Sequence, residues 1–146
     1  MAGAGIDLKL RLSLREGSIY YFPDRSLTSS EPHYFIVINS DPLGQCVLVL
    51  CVVTSQVDNV KLRRKSCPET LVELSPSLFN LLKKSSIVDC NDLKQVPLAE
   101  FNTRFMRKEI RYFDKDLPAV LRRALRKAIH ASTIVSAEVK ALVATP

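Results

Sequence analysis

Ser30-Glu31-Pro32-His33-Tyr34-Phe35-Ile36-Val37-Ile38-Asn39 is the stretch that decides the fold. Proline lacks a backbone donor and biases its predecessor toward extended geometry, so Pro32 suits a strand entrance. The apolar residues Tyr34 to Ile38 that follow suit a strand covered on both faces. His33 is then expected at the rim of the sheet. Its plainer role there is a hydrogen bond to a neighbouring carbonyl.

Working outward, Ile19-Tyr20-Tyr21-Phe22 reads as a short aromatic strand, ended by Pro23-Asp24. Cys46 to Val53 reads as a second buried strand after the turn-rich connection Asn39 to Gly44. Leu71–Leu74 and Ile87–Cys90 add two more. Ile6 to Leu14 alternates leucine and isoleucine with Asp7, Lys9, Arg11 and Ser13, the period of a half-buried strand. Between the later strands, Ser75 to Lys84 predicts a short inserted helix, with Ser75 as cap, Pro76 in the first turn and Leu78, Leu81 and Leu82 on one face.

The last third predicts helix. Asp116 is the expected cap and Pro118 the start; Leu117, Val120, Leu121, Ala124, Leu125, Ala128 and Ile129 fill one side. Arg122, Arg123, Arg126 and Lys127 take the opposite, solvent-facing arc, and Ala137–Ala144 predicts a further short helix. The expected class is α+β: a small SH3-like curled sheet or barrel with an inserted helix and C-terminal helices. Residues 1–100 are expected to form the barrel-like core, and 101–146 a helical extension packed on the same domain.

At 146 residues, 47% hydrophobic and 25% charged, the chain can build a real core and is not disordered as a class. The longest apolar run, Cys46 to Val53, is too short to span a bilayer, and residues 1–14 lack the pattern of a signal peptide. A cytoplasmic address without membrane attachment is expected. The four cysteines, Cys46, Cys51, Cys67 and Cys90, contain no C-x-x-C pair, and only His33 and His130 offer imidazoles. Reduced thiols, no metal and no cofactor are expected. Cys46 and Cys51, read as one strand, point to opposite faces.

The net charge of +6 is uneven: residues 1–60 sum to −2 and residues 61–146 to +8. A basic second half suits a polyanionic partner such as nucleic acid, although basic faces also occur on proteins that touch none. The densest run, Lys61-Leu62-Arg63-Arg64-Lys65, is expected in the loop after Thr54-Ser55, where it could bind RNA phosphates or an acidic protein tail, or equally form a plain solvated loop.

From about Glu16 to Gln95 the order of elements resembles the PemK/MazF-like toxin family. The resemblance rests on Gly17-Ser18-Ile19-Tyr20 as opening strand, Pro32 before Tyr34–Ile38, Val52-Val53-Thr54-Ser55 at a strand end, and Lys84-Ser85-Ser86-Ile87-Val88-Asp89 at a late strand entry. It implies an SH3-like barrel and metal-free cleavage of single-stranded RNA, in a homodimer restrained by an acidic antitoxin. The family's catalytic arginine precedes the proline; here that position is Glu31, whose charge would repel the scissile phosphate.

Cleavage through the substrate's own 2′-hydroxyl needs a base, an acid and a group that stabilises the phosphate charge. His33 can exchange protons near neutral pH. Arg25 can fork onto phosphate or stand as a solvated loop charge beside Asp24, and Thr54 and Ser55 can donate to phosphate or simply close the strand with a turn hydrogen bond. Tyr20, with Tyr21 and Tyr34, could stack on splayed bases, or pack within the sheet instead. Lys61, Arg63, Arg64 and Lys65 complete the candidate RNA-binding set. The competing reading is a non-catalytic binding module on the same barrel, contacting nucleic acid or a protein.

Overall fold

The computed structural model describes residues 5–24, 27, 31–77 and 82–146. Among these, six strands form one antiparallel sheet: β1 Ile19–Phe22, β2 His33–Val37, β3 Val47–Thr54, β4 Leu71–Leu74, β5 Ser86–Pro97 and β6 Arg111–Phe113. Their spatial order is β4-β5-β3-β2-β1-β6. The helices are α1 Leu8–Ser13, α2 Pro42–Gln45, α3 Val57–Arg63, α4 Leu98–Met106, α5 Ala119–Ala131 and α6 Ala137–Leu142.

The apolar runs of β2 and β3 are buried because both faces of the sheet are covered. Ile36, Val49, Cys51 and Val53 face one core with Leu121, Leu125 and Ile129 of α5 and Val139 of α6. Phe35, Val37, Leu48 and Leu50 face a second core with Leu10 of α1 and Phe101 of α4. Strand alternation sends neighbouring side chains to opposite faces, so each core draws every second residue. Phe22 and Phe35 stack across the β1–β2 ladder in the second core, with ring centroids 4.1 Å apart. Gly17 enters β1 at φ +94°, and Arg122 packs so close that a Cβ there would lie 2.6 Å from its Cδ.

Several expectations are corrected. The Ile6–Leu14 stretch is helical, not a strand. Asp7 accepts from the Lys9 and Leu10 backbone amides and caps α1, which turns Leu10, Ser13 and Leu14 inward. Leu8 and Leu12 are left 65% and 70% exposed. The basic run Lys61–Arg63 lies in the last turn of α3 rather than in a loop, with Arg64 as its C-cap residue. Cys46 precedes β3 as the left-handed C-cap of α2 and is exposed, while Cys51 and Cys90 share the first core. Asp116 does not cap α5; it pairs with Arg15 at 2.7 Å, and Pro118 takes the N-cap position.

The arcs of α5 also differ from expectation. Val120 is exposed, as are Arg123 and Lys127, but Arg122 and Arg126 are half-buried, Arg126 on Glu16. Residues 101–146 contribute β6, which pairs with β1 at Ile19↔Phe113 and Tyr20↔Tyr112. The helix expected over Ser75–Lys84 centres on residues 78–81, outside the described residues; Pro76 and Ser77 form a turn. No helix among the described residues is long and apolar enough to cross a membrane.

Candidate RNA-binding cleft

β2 and β3 pair antiparallel with Tyr34 opposite Val53 and Phe35 opposite Val52. The residue that opens β2, His33, and the residue that closes β3, Thr54, therefore meet at one end of the ladder. Behind them the chain turns through Ser55 and Gln56 into α3, which lies over β5. A cleft of about 970 Å³ opens between these elements, lined by Glu31, His33, Thr54, Ser55, Arg63 and Arg64, among others. Lys83, Lys84 and Lys94 also line it, so basic side chains outnumber acidic ones there.

Hydrogen bonding assigns the proton positions. His33 Nδ1 lies 2.9 Å from the backbone carbonyl oxygen of Glu31. A carbonyl can only accept, so Nδ1 carries the proton and Nε2 is the nitrogen available to a reacting group. Thr54 Oγ1 accepts from the Gln56 amide at 3.1 Å, which leaves its own hydroxyl hydrogen to donate. The plain role foreseen for His33, a rim hydrogen bond to a carbonyl, thus coexists with a usable imidazole edge.

The arginines are held rather than loose. Asp89 of β5 is 7% exposed and accepts from Arg64 Nε at 2.9 Å and Arg63 Nη2 at 3.2 Å. Burial pushes its carboxyl up, but the hydrogen bonds from Arg64, Asn91 and Arg63 outweigh that and hold it below the ordinary aspartate range. Asn91 donates through its amide and through Nδ2 to Asp89 Oδ1, and through Nδ2 to Thr70 Oγ1. Ser132, just beyond α5, donates to Asn91 Oδ1 at 2.5 Å.

Other expected site residues sit elsewhere. Tyr20 is fully buried and cannot stack on a base; it meets Phe101 edge-on at 5.1 Å. Ser13 Oγ donates to the Leu10 carbonyl, so the Tyr20 hydroxyl donates to Ser13 Oγ, at 2.8 Å. Burial drives the Tyr20 phenol up. Lys61 pairs with Glu73 at 2.9 Å and, like Lys65, does not line the cleft. Arg25 lies outside the described residues. Among the described residues no cluster of three or more His, Cys, Asp or Glu could hold a metal ion. Asp89 was missed by sequence reasoning: a lone aspartate in an apolar run, Ile87-Val88-Asp89-Cys90, was the signal that could have marked a buried, paired carboxylate.

No protein-family model and no curated protein matches the sequence. Among solved structures, the chain is similar to an endoribonuclease in complex with its cognate antitoxin from Mycobacterial species. That match is 13% identical with a TM-score of 0.50, over 80% of this chain and 90% of the other. Another similar structure is the Mycobacterium tuberculosis toxin MazF-mt6, 15% identical with a TM-score of 0.49, over 78% of this chain and 94% of the other. The likeness establishes the fold: the chain has the MazF/PemK-like fold.

Proposed function

We propose that the chain is a toxin-like endoribonuclease of a toxin–antitoxin pair, cleaving single-stranded RNA without a metal ion. The observation that carries this reading is the meeting of His33 and Thr54 at one ladder end, inside a cleft lined by five basic side chains. In this mechanism the substrate 2′-hydroxyl attacks its own phosphorus. His33 Nε2 takes the hydroxyl proton, and the Thr54 and Ser55 hydroxyls donate to the non-bridging phosphate oxygens. The bond to the 5′ oxygen breaks, that oxygen collects a proton from water, and a cyclic phosphate remains. A homodimer and an acidic antitoxin complete the proposal, supported by the net charge of +6 and by the antitoxin bound to the similar endoribonuclease.

Glu31 favours a second reading. It lines the cleft directly before Pro32, and a carboxylate beside a scissile phosphate raises the barrier to cleavage. A barrel with this residue could bind RNA without cutting it.

Cleavage of single-stranded RNA in a chelator decides between them. The expected result is cutting that stops when the scissile ribose is 2′-deoxy and falls about a hundred-fold or more in His33→Ala. Binding without cleavage would establish the binding module instead. Full activity in His33→Ala would keep the enzyme and discard this role for His33.

A further inference from the structure

The cleft's cations are not equivalent. Lys83 and Lys84 are exposed, Lys94 is half-buried but has no hydrogen bond or ion pair holding its ammonium among the described residues, and Arg63 is 54% exposed with one terminal nitrogen, Nη2, on Asp89. Arg64 is 22% exposed and uses Nε for the same carboxylate. Among the described residues its two terminal nitrogens make no hydrogen bond, so the far edge of a fixed, planar fork remains available. The anchor is itself rigid, because Asp89 is tied through Asn91 to Thr70 and Ser132. A cation already held in place loses less side-chain entropy on binding an anion than an exposed lysine does. Such a group suits a polyanion cleft that also has Glu31 in its lining.

We infer that Arg64, clamped through Nε on the buried Asp89 carboxylate, is the phosphate-binding cation of this cleft, with Asp89 as its positioning residue. The inference rests on the RNA reading above and sharpens it. Arg63 shares the carboxylate but keeps more freedom, and contributes general charge. The Ser132–Asn91–Asp89 chain then links the end of α5 to the phosphate site, so that packing of the helix sets the position of Arg64.

Binding of a short single-stranded oligonucleotide with 2′-O-methyl riboses, which cannot be cut, tests this at several salt concentrations. Arg64→Ala is expected to weaken binding about tenfold or more. It should also lower the salt slope by about 0.7, one phosphate contact on a single strand. Arg63→Ala should stay within a few-fold of wild type. Arg64→Lys keeps the charge but lacks the fork, so affinity should fall while the salt slope is kept. Asp89→Asn should do the same, with its melting temperature checked alongside. Wild-type affinity in Arg64→Ala, or equal losses in Arg63→Ala and Arg64→Ala, would overturn the special role of Arg64 and leave the RNA reading intact. Undiminished affinity in Arg64→Lys would overturn the positioning role even if Asp89→Asn fails to fold. A parallel titration follows the Arg64 Nε proton resonance with inorganic pyrophosphate. A shift there in a protein that ignores RNA would support the anion site and sink the RNA reading. No response to either probe would overturn both.

Discussion

Arg126 Nη1 donates to Glu16 Oε1 at 2.6 Å, joining the amphipathic helix α5 to the turn before β1. Both side chains are less than one-fifth exposed, at 19% and 17%. Truncating one leaves the other charge poorly solvated. Arg126→Ala is expected to destabilise the protein by about 2 kcal/mol, whereas exposed Arg123→Ala should stay within about 0.5 kcal/mol. Urea unfolding curves check the contrast, and a loss within about 0.5 kcal/mol for Arg126→Ala as well would mean that the arc is solvated throughout.

The helical reading of residues 8–13 makes the leucines there unequal. Leu10 is fully buried against the second core, so Leu10→Ala should cost about 3 kcal/mol. Leu8→Ala and Leu12→Ala remove exposed groups and should change stability by less than about 0.5 kcal/mol. A half-buried strand would have made all three costly.

Tyr20→Phe should cost about 1 kcal/mol, by removing the donor to Ser13 Oγ while keeping the ring against Phe101. RNA affinity should not change, since Tyr20 is fully buried. A loss of RNA binding without a loss of stability would place Tyr20 at the interface after all.

Asp89 gives a pH signature. Its folded pKa is depressed below the ordinary value of 3.8, so the folded state stabilises the carboxylate. That stability is fully present above the unfolded pKa and is lost as pH falls from there through the lower folded value. Thermal melts should therefore show an acid limb setting in near and below pH 3.8. The limb should be shallower in Asp89→Asn, and an identical limb in the variant would assign it to other carboxylates.

Glu31→Arg reverses the charge before Pro32, at the cleft wall. RNA affinity should rise several-fold, with a steeper salt dependence, because another phosphate can be neutralised. Filter binding across salt concentrations measures this; an unchanged slope would show that residue 31 does not reach the backbone of the RNA.

Strands β1 and β4 were legible residue for residue, because short apolar runs bounded by Gly17 or Pro23 and by Pro68 or Pro76 leave little freedom in where a strand begins and ends. The core of β2 and β3 was legible for the same reason, and with it the meeting of His33 and Thr54, which follows from antiparallel pairing of consecutive strands. The α1 segment was not. Alternating leucines over nine residues fit a strand, yet Leu10 and Leu14 also share a helical face, and Asp7 in capping position tips the choice. β6 was missed because Arg111-Tyr112-Phe113 is too short to signal itself and becomes a strand only beside β1.

By itself the sequence determined that two apolar strands with a proline-led entrance form a doubly covered sheet, and that basic residues gather in the second half. Only the tertiary structure decided which charges act together. Asp89 and Arg64 are 25 positions apart, and their hydrogen bond exists because α3 folds back over β5. Tyr20 lies in the core, where Phe101 of α4, a helix far along the chain, packs edge-on against its ring. Local pattern sets which backbone shapes are cheap, but burial and charge pairing depend on what the rest of the chain brings alongside, and no window of sequence contains that.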